Sequence, residues 1–240
     1  MKQEITVRTD VPSLYGEPDS LIYRFKRRLT YLFAFRLLRI FVDRQAKLEI
    51  LEVGSGSGFF LDFSRDFFPN SSLTALEYDE RLLAESKRRA PDAIIHQGNA
   101  ECFYLGYGKY DLIVSFQVIE HLYKPEAMLS NVKAHLKPGG IFLVSTPNLS
   151  SLGASIMKAK WHGFRDDHVS LKNRKDWDTL ISLHGFINLY SGTTFFSGIP
   201  ILNTFPLGII NWILLIVFGS IRWSSGESYV GVFKSKASDK

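Results

Sequence analysis

Three glycines in five residues, Gly54, Gly56 and Gly58, separate the β-rich run Lys47–Val53 from FFLDFSRDFF, whose apolar residues recur at helical spacing. Glycine at that density lets the backbone turn through positive φ and lets a ligand approach it closely. A strand that ends in such a turn and leads straight into a helix is the strongest constraint on this chain. It predicts an α/β fold, a doubly wound and mostly parallel sheet assembled from βαβ units.

The alternation continues downstream. LTALEY, Leu73–Tyr78, reads as a second strand, followed by a polar helix from about Glu80 to Arg89 that Pro91 ends. AIIHQ reads as a third strand. DLIVSF, Asp111–Phe116, is an apolar run of the kind buried on both faces, which places it centrally in the sheet. A helix from about Pro125 to Leu136 ends in Lys137-Pro138-Gly139-Gly140, read as a connector into the strand IFLVST. Beyond Pro147 the pattern loosens to about Lys172; a helix near Asp176–Leu183, a strand FINLY and a closing strand SYVGVFKSK follow.

At 240 residues the chain suits one large domain with decorations: a basic amphipathic helical extension, residues 1–45, and a main domain, residues 46–240. Its 45% hydrophobic and 22% charged residues speak against disorder. Cys102 stands alone, which excludes an internal disulfide and a multi-cysteine zinc site and suits a reducing, cytoplasmic setting. The polar start holds no apolar run of signal-peptide length.

Net charge is +5, and residues 1–47 carry ten Lys or Arg against five Asp or Glu, so the remainder is balanced at nineteen each. The excess sits in YRFKRRLTYLFAFRLLRIFVDR, where helical spacing gathers the apolar residues on one broad face with Arg36 inside it. Such a helix packs on the domain edge with a solvated basic side; the sharper reading has it lie on an anionic membrane or cover a substrate pocket. Thr179–Ile221 contains no Asp, Glu, Lys or Arg. Its densest part, LGIINWILLIVFGSI, within an insert at about 199–223, has fifteen residues, short of the ~20 a spanning helix needs. A buried or interfacial helix with peripheral membrane contact is the expectation.

The chemistry concentrates around the glycines. Glu77 lies 23 residues after Gly54, at the end of the next strand, where a carboxylate can accept hydrogen bonds from two ribose hydroxyls. The pair indicates an adenosine-containing cofactor. The dinucleotide fingerprint needs G-x-G-x-x-G, whereas this chain has G-x-G-x-G with Phe59 in the third glycine's place. Glu52, just before the loop, would repel a pyrophosphate and suits a cation, as in S-adenosylmethionine.

ILEVGSGSG, ALEYDE, QGNAE, YDLIVSFQVIEHL, LKPGGIFLVSTPN and the later RDDHVSL with HGF occur in this order over about residues 47–190. On these segments the chain resembles the class I S-adenosylmethionine-dependent methyltransferases, and more narrowly the group that includes ubiquinone-biosynthesis O-methyltransferases. The resemblance implies a Rossmann-like seven-stranded sheet whose last strand, SYVGVFKSK, runs antiparallel. It implies that Gly54, Ser55, Gly56 and Gly58, with Glu52, cradle the methionine part. Glu77 would bind the ribose, Tyr78 the adenine face and Asn99 and Ala100 its edge. Phe116 and Gln117 would line the methyl-transfer side.

An activated methyl donor needs mainly an aligned nucleophile, and a hydroxyl acceptor gains from a general base. His121, following Glu120, and His168 are the candidates; His96, His135 and His184 read as structural. In some relatives an E-x-x-E-H motif and a distant histidine hold a divalent metal. Here Gln117 replaces the first carboxylate, so no metal is expected. The acceptor class expected is a small, hydrophobic or lipid-linked molecule. Two other readings are a non-catalytic partner protein, against which the intact glycines and Glu77 argue, and an RNA methyltransferase. The latter lacks an RNA-binding appendage, its basic excess comes from one helix, and no DNA partner is expected.

Overall fold

β1 (Glu49–Val53) and β4 (Tyr110–Phe116) have little polar interruption, and they pair in parallel at the middle of the sheet. The structure, a computed structural model, describes residues 21–195 and 199–236; the first twenty residues of the expected extension lie outside the described residues. The strand order is β3-β2-β1-β4-β5-β8-β6-β7. β3 (Ile94–Gln97), β2 (Ser72–Glu77), β1, β4 and β5 (Leu136–Pro147) run parallel to one another. β8 (Ser228–Ser235) is antiparallel to both neighbours, β5 and β6 (Phe186–Thr194).

Two expectations are corrected. The sheet has eight strands of mixed orientation, not seven, because the two-residue β7 (Ser220–Ile221) pairs antiparallel with the end of β6. Two residues carry no period, so no strand signal exists for them in sequence. LKPGG, read as a connector, is the first part of β5. Tyr110 pairs with Leu136 and Leu112 with Ile141, so Lys137–Gly140 bulge out opposite Asp111 alone. Gly139 takes a φ of 78° there, and Lys137 Nζ closes the bulge on Asp111 Oδ2 at 2.8 Å.

Helices cover both faces. α1 (Leu21–Phe41), α2 (Phe59–Phe67) and α3 (Glu80–Arg89) pack on one side, around Leu38, Phe60 and Val114. α4 (Pro125–His135) and α6 (Arg174–Leu183) cover the other, around Met128, Trp177 and Phe142. Starts are set locally: Asp79 caps α3 by accepting from the N–H groups of Arg81 and Leu82, and Asn173 caps α6 through Asp176 N–H. The loose segment contains one short α-helix, α5 (Leu152–Met157), continued by a 3-10 turn, Lys158–Lys160. The insert forms α7 (Leu207–Phe218), which packs on α1.

α1 belongs to the same core as the sheet. Phe35 stacks on Phe60 at 5.3 Å, while Tyr31 meets Phe60 and Phe116 edge-on at 5.7 and 5.1 Å. Arg36, the cation inside α1's apolar face, donates to the carbonyls of Ile216 and Val217 in the last turn of α7. Helix ends leave such carbonyls without an internal partner, so the arginine sits where a donor is needed. Phe60 is fully buried among these rings. Phe60→Ala is expected to cost about 3–5 kcal/mol in a denaturant unfolding titration, the usual range for emptying an aromatic site.

Candidate functional site

The C-terminal ends of β1, β2, β3 and β4 meet at one edge of the sheet, the edge where open α/β sheets bind ligands. At the end of β1 the chain turns through Gly54, Gly56 and Gly58, with φ of 80°, 52° and 78°. A Cβ on Gly54 would stand 2.2 Å from Val118 Cγ2, and one on Gly58 2.9 Å from the Ser86 backbone. Position 56 is different: nothing lies within 4 Å of its would-be Cβ, so this glycine faces open space. Gly54 and Ser55 donate to the Leu76 carbonyl at 2.8 and 3.2 Å, which ties the turn to β2. Ser55 is buried and accepts from Ser86 Oγ at 3.3 Å.

Glu77 ends β2 beside this turn. Its Oε2 accepts from Gly56 N–H at 2.6 Å, and its Oε1 from the N–H groups of Tyr78 and Asp79 at 2.8 and 2.9 Å. The backbone thus fixes the carboxylate at the edge of the turn, with lone pairs left for further donors. Tyr78 is exposed immediately after it. Gly98 N–H reaches the Glu77 carbonyl at 2.9 Å, bringing Asn99 and the buried Ala100 to the same edge. Asn99 spends its side-chain oxygen on Glu101 N–H at 2.8 Å.

Glu52 is buried in β1, and its Oε2 has no hydrogen-bond partner among the described residues. Burial, reinforced by the Glu77 charge, holds its carboxyl well above the usual carboxylate range, and Arg27 of α1 opposes the shift. A cationic ligand beside it would satisfy that oxygen and favour the ionised form. Three positive-φ glycines, one with open space before it, an orphaned buried carboxyl and a fixed carboxylate fit S-adenosylmethionine.

β4 delivers the other half. Phe116 is half-buried, its ring 5.0 Å from Phe60, and Gln117 is exposed with φ 56°, a left-handed conformation that costs a non-glycine residue energy. Gln117 N–H is held by the Ser145 carbonyl at 2.8 Å. Val118 then seats on Gly54, and a short 3-10 turn, Ile119–His121, presents Glu120 and His121. The structure brings His168 to them: the two imidazoles meet edge-on, 4.6 Å between ring centres. His121 Nδ1 lies 3.1 Å from the Asp167 carbonyl and His168 Nδ1 2.8 Å from the Gly163 carbonyl. Carbonyls only accept, so both Nδ1 atoms carry the proton and each Nε2 presents a lone pair. Burial pushes both imidazoles below the ordinary histidine range, which keeps them neutral near pH 7.

Glu120 is fully buried; Oε2 accepts from Thr146 Oγ1 at 2.8 Å and Oε1 has no partner among the described residues. Burial pushes its carboxyl up to about 7. One donor atom each of Glu120, His121 and His168 lies within 4.8 Å of the others, a spacing a cation would also fit. Sequence reasoning missed the clamp that orients this group. Arg165 pairs with Asp167 through two contacts of 2.9 and 3.0 Å, Asp167 Oδ2 stands 3.4 Å from His121 Nδ1, and Ser170 N–H reaches the Glu120 carbonyl at 2.9 Å. RDDHVS carried the signal, but only folding shows what it docks against. The structural reading of His135 and His184 agrees with their backbone partners.

The chain matches a family model described as "Methyltransferase domain" over residues 25–191. It is 39% identical over 105 residues to a "Probable S-adenosylmethionine-dependent methyltransferase" of Mycolicibacterium smegmatis, covering 44% of this chain and 40% of that protein. It is 30% identical over 135 residues to the malonyl-[acyl-carrier protein] O-methyltransferase of Bacillus cereus, 53% of this chain and 50% of the relative. The chain thus spans about half or less of the length of these curated relatives. Among solved structures, the Thermotoga maritima "SAM-dependent methyltransferase, possible histamine N-methyltransferase" superposes with a TM-score of 0.66 at 18% identity, covering 90% of this chain and 93% of that one. At that identity the likeness is one of fold.

Glu120 yields a stability test. Its folded-state carboxyl is raised from 4.5 to about 7, so stability is full below the unfolded value, falls as pH rises between the two, and carries the whole penalty above about 7; at pH 5 only a small part of it is felt. Glu120→Gln is expected to raise the melting temperature relative to the parent more at pH 8 than at pH 5; an equal change at both would contradict the buried, uncompensated carboxyl.

Proposed function

Since this chain belongs to the methyltransferase-domain family, whose cofactor is S-adenosylmethionine, we propose that it methylates a hydroxyl oxygen of a small, hydrophobic or lipid-linked acceptor. The observation that carries the reading is the convergence of two neutral histidines on the turn that packs against Gly54. The cofactor supplies a methyl group already activated on a positive sulfur, so no covalent enzyme nucleophile is needed. What the chain adds is alignment and a place for the proton.

In this reading Glu52 and the Gly54–Gly58 turn hold the methionine end, Glu77 the ribose, and Tyr78, Asn99 and Ala100 the adenine. His121 Nε2 would take the proton that the acceptor hydroxyl loses when its oxygen receives the methyl group that the cofactor would supply. Asp167, through its carbonyl and carboxylate, fixes the imidazole and stabilises the imidazolium that forms. His168 packs on the same ring and serves as a second proton acceptor. Phe116, half-buried at the end of β4 and met edge-on by Tyr31, offers an apolar side chain at the same edge of the sheet, which suits a hydrophobic acceptor. The proton acceptors are imidazoles, and the reaction runs without a metal.

Calorimetric titration with S-adenosylhomocysteine, using NAD and ATP as controls, tests the premise. Binding is expected for the first alone, and Gly56→Arg should abolish it by placing a long side chain in the open space of the loop. His121→Ala should leave that binding intact and lower turnover about 10²–10⁴-fold, the usual worth of a general base. The acid limb of the parent's pH profile should fall below the ordinary histidine value of ~6.5, because burial lowers both imidazoles. Turnover that survives EDTA supports proton transfer at the imidazoles; turnover lost to EDTA and restored by a divalent cation would assign the Glu120 group to a metal instead.

A further inference from the structure

We propose that the outward face of α7 docks on an anionic lipid bilayer and lies in the plane of its surface, holding α1 and the site beneath it at the membrane. α7 is arranged inside out. Its buried positions are Gly208, Asn211 and Leu215, a narrow stripe with one small, one polar and one apolar residue. Ile209, Ile210, Ile213, Val217 and Phe218 are each at least half exposed. A helix that borders water shows the reverse pattern. The chain before it extends the surface, with Phe205 86% and Ile201 66% exposed. Single exposed apolar side chains are ordinary, whereas a contiguous set marks a surface made to be covered.

Charge selects the occupant. Arg36 sets its guanidinium on the carbonyls of Ile216 and Val217, beside the exposed Val217 and Phe218. Just beyond the helix, Arg222 lies over the Tyr190 ring at 5.7 Å, and Trp223 packs through Phe195 onto Phe218. Arg36, Arg39 and Arg222 are exposed, and no acidic residue occurs between Thr179 and Ile221. A second copy of the chain would bring the same uncharged face and the same arginines, with no anion to meet them. Anionic headgroups above an apolar layer complement both, and aromatic and basic side chains favour that boundary.

Length settles the orientation. The twelve residues of α7 rise about 18 Å against a hydrocarbon core of about 30 Å. Among the described residues no helix is long and apolar enough to cross a membrane. The link to the site is short: Gly219 closes on Phe33 of α1, and Tyr31 of the same helix meets Phe116. The use of this surface, delivery of a lipid-linked acceptor, rests on the reading above; the docking itself does not.

The full chain, its fold checked by circular dichroism, is sedimented with vesicles of phosphatidylcholine alone and of phosphatidylcholine mixed with phosphatidylglycerol. S-adenosylhomocysteine titration runs in parallel. Binding to the mixed vesicles that weakens with salt is expected, and Ile210→Asp with Ile213→Asp, both at exposed positions, should lower it about tenfold or more while cofactor binding stays unchanged. Folded protein that stays in the supernatant with both vesicles overturns the proposal, as does a double variant that binds like the parent. A parent that is dimeric by light scattering and binds no vesicle, with a monomeric double variant, assigns the face to a second copy and also overturns it. Loss of S-adenosylhomocysteine binding with vesicle binding retained would instead count against the methyl-transfer reading alone.

Discussion

The close approach of Gly54 to Val118 is the contact on which the site depends. With no Cβ at position 54, the end of β1 and the segment after β4 pack into one layer; a Cβ there would clash with Val118 at 2.2 Å. Parallel pairing of β1 with β4 already sets these strands side by side, but pairing stops at Glu52 and Val114, before either functional segment begins. The glycine contact carries the adjacency beyond the ladder. It places the glycine turn, the proposed cofactor site, against the turn that bears Glu120 and His121, so the proposed methyl donor and proton acceptor share one edge of the sheet. Gly58 repeats the device against Ser86 and ties α3 to the same turn.

Around this contact the protein keeps two carboxyl groups in surroundings that oppose their charge. Glu52 and Glu120 are both buried, each with one oxygen unpaired among the described residues, and both are raised above the usual carboxylate range. Neither serves the fold in that state, since a buried unsatisfied oxygen is a cost that an apolar side chain of similar size would remove. Their positions, one behind the glycine turn and one behind the histidine pair, are those where the proposed ligand binding and proton transfer would use a responsive charge. The same trade shows in the backbone, where Gln117 is held in left-handed conformation between the two halves.

α1 and α7 extend this logic outward. α1 is a core element, through Phe35 and Leu38, and through Tyr31 it also meets Phe116 at the end of β4. α7 is fastened to α1 by Arg36 and by Gly219 on Phe33, and it turns its branched apolar side chains away from the protein. α1 thus touches both α7, which bears the proposed docking surface, and Phe116 at the end of β4.

The order of strands and helices, the glycine turn, Glu77 at the end of β2 and the central place of Asp111–Phe116 were legible in the residues, because each follows from local periodicity or from glycine's freedom at positive φ. The histidine candidates were legible as residue types, not as a pair: His121 and His168 are separated by 46 positions, and only the docking of Asp167 on the 3-10 turn joins them. β7 and the bulged start of β5 depend on partners far along the chain, so no local pattern announces them. Arg36 in an apolar face read as an irregularity until the free carbonyls of α7 stood opposite it. The sequence by itself determined the α/β class, the kind of cofactor and the apolar character of the insert, since these are written in spacing and composition. Tertiary structure alone decided which oxygens stay unpaired, which imidazole nitrogens face outward and which side of α7 is left uncovered, because burial and hydrogen bonding belong to contacts between distant segments.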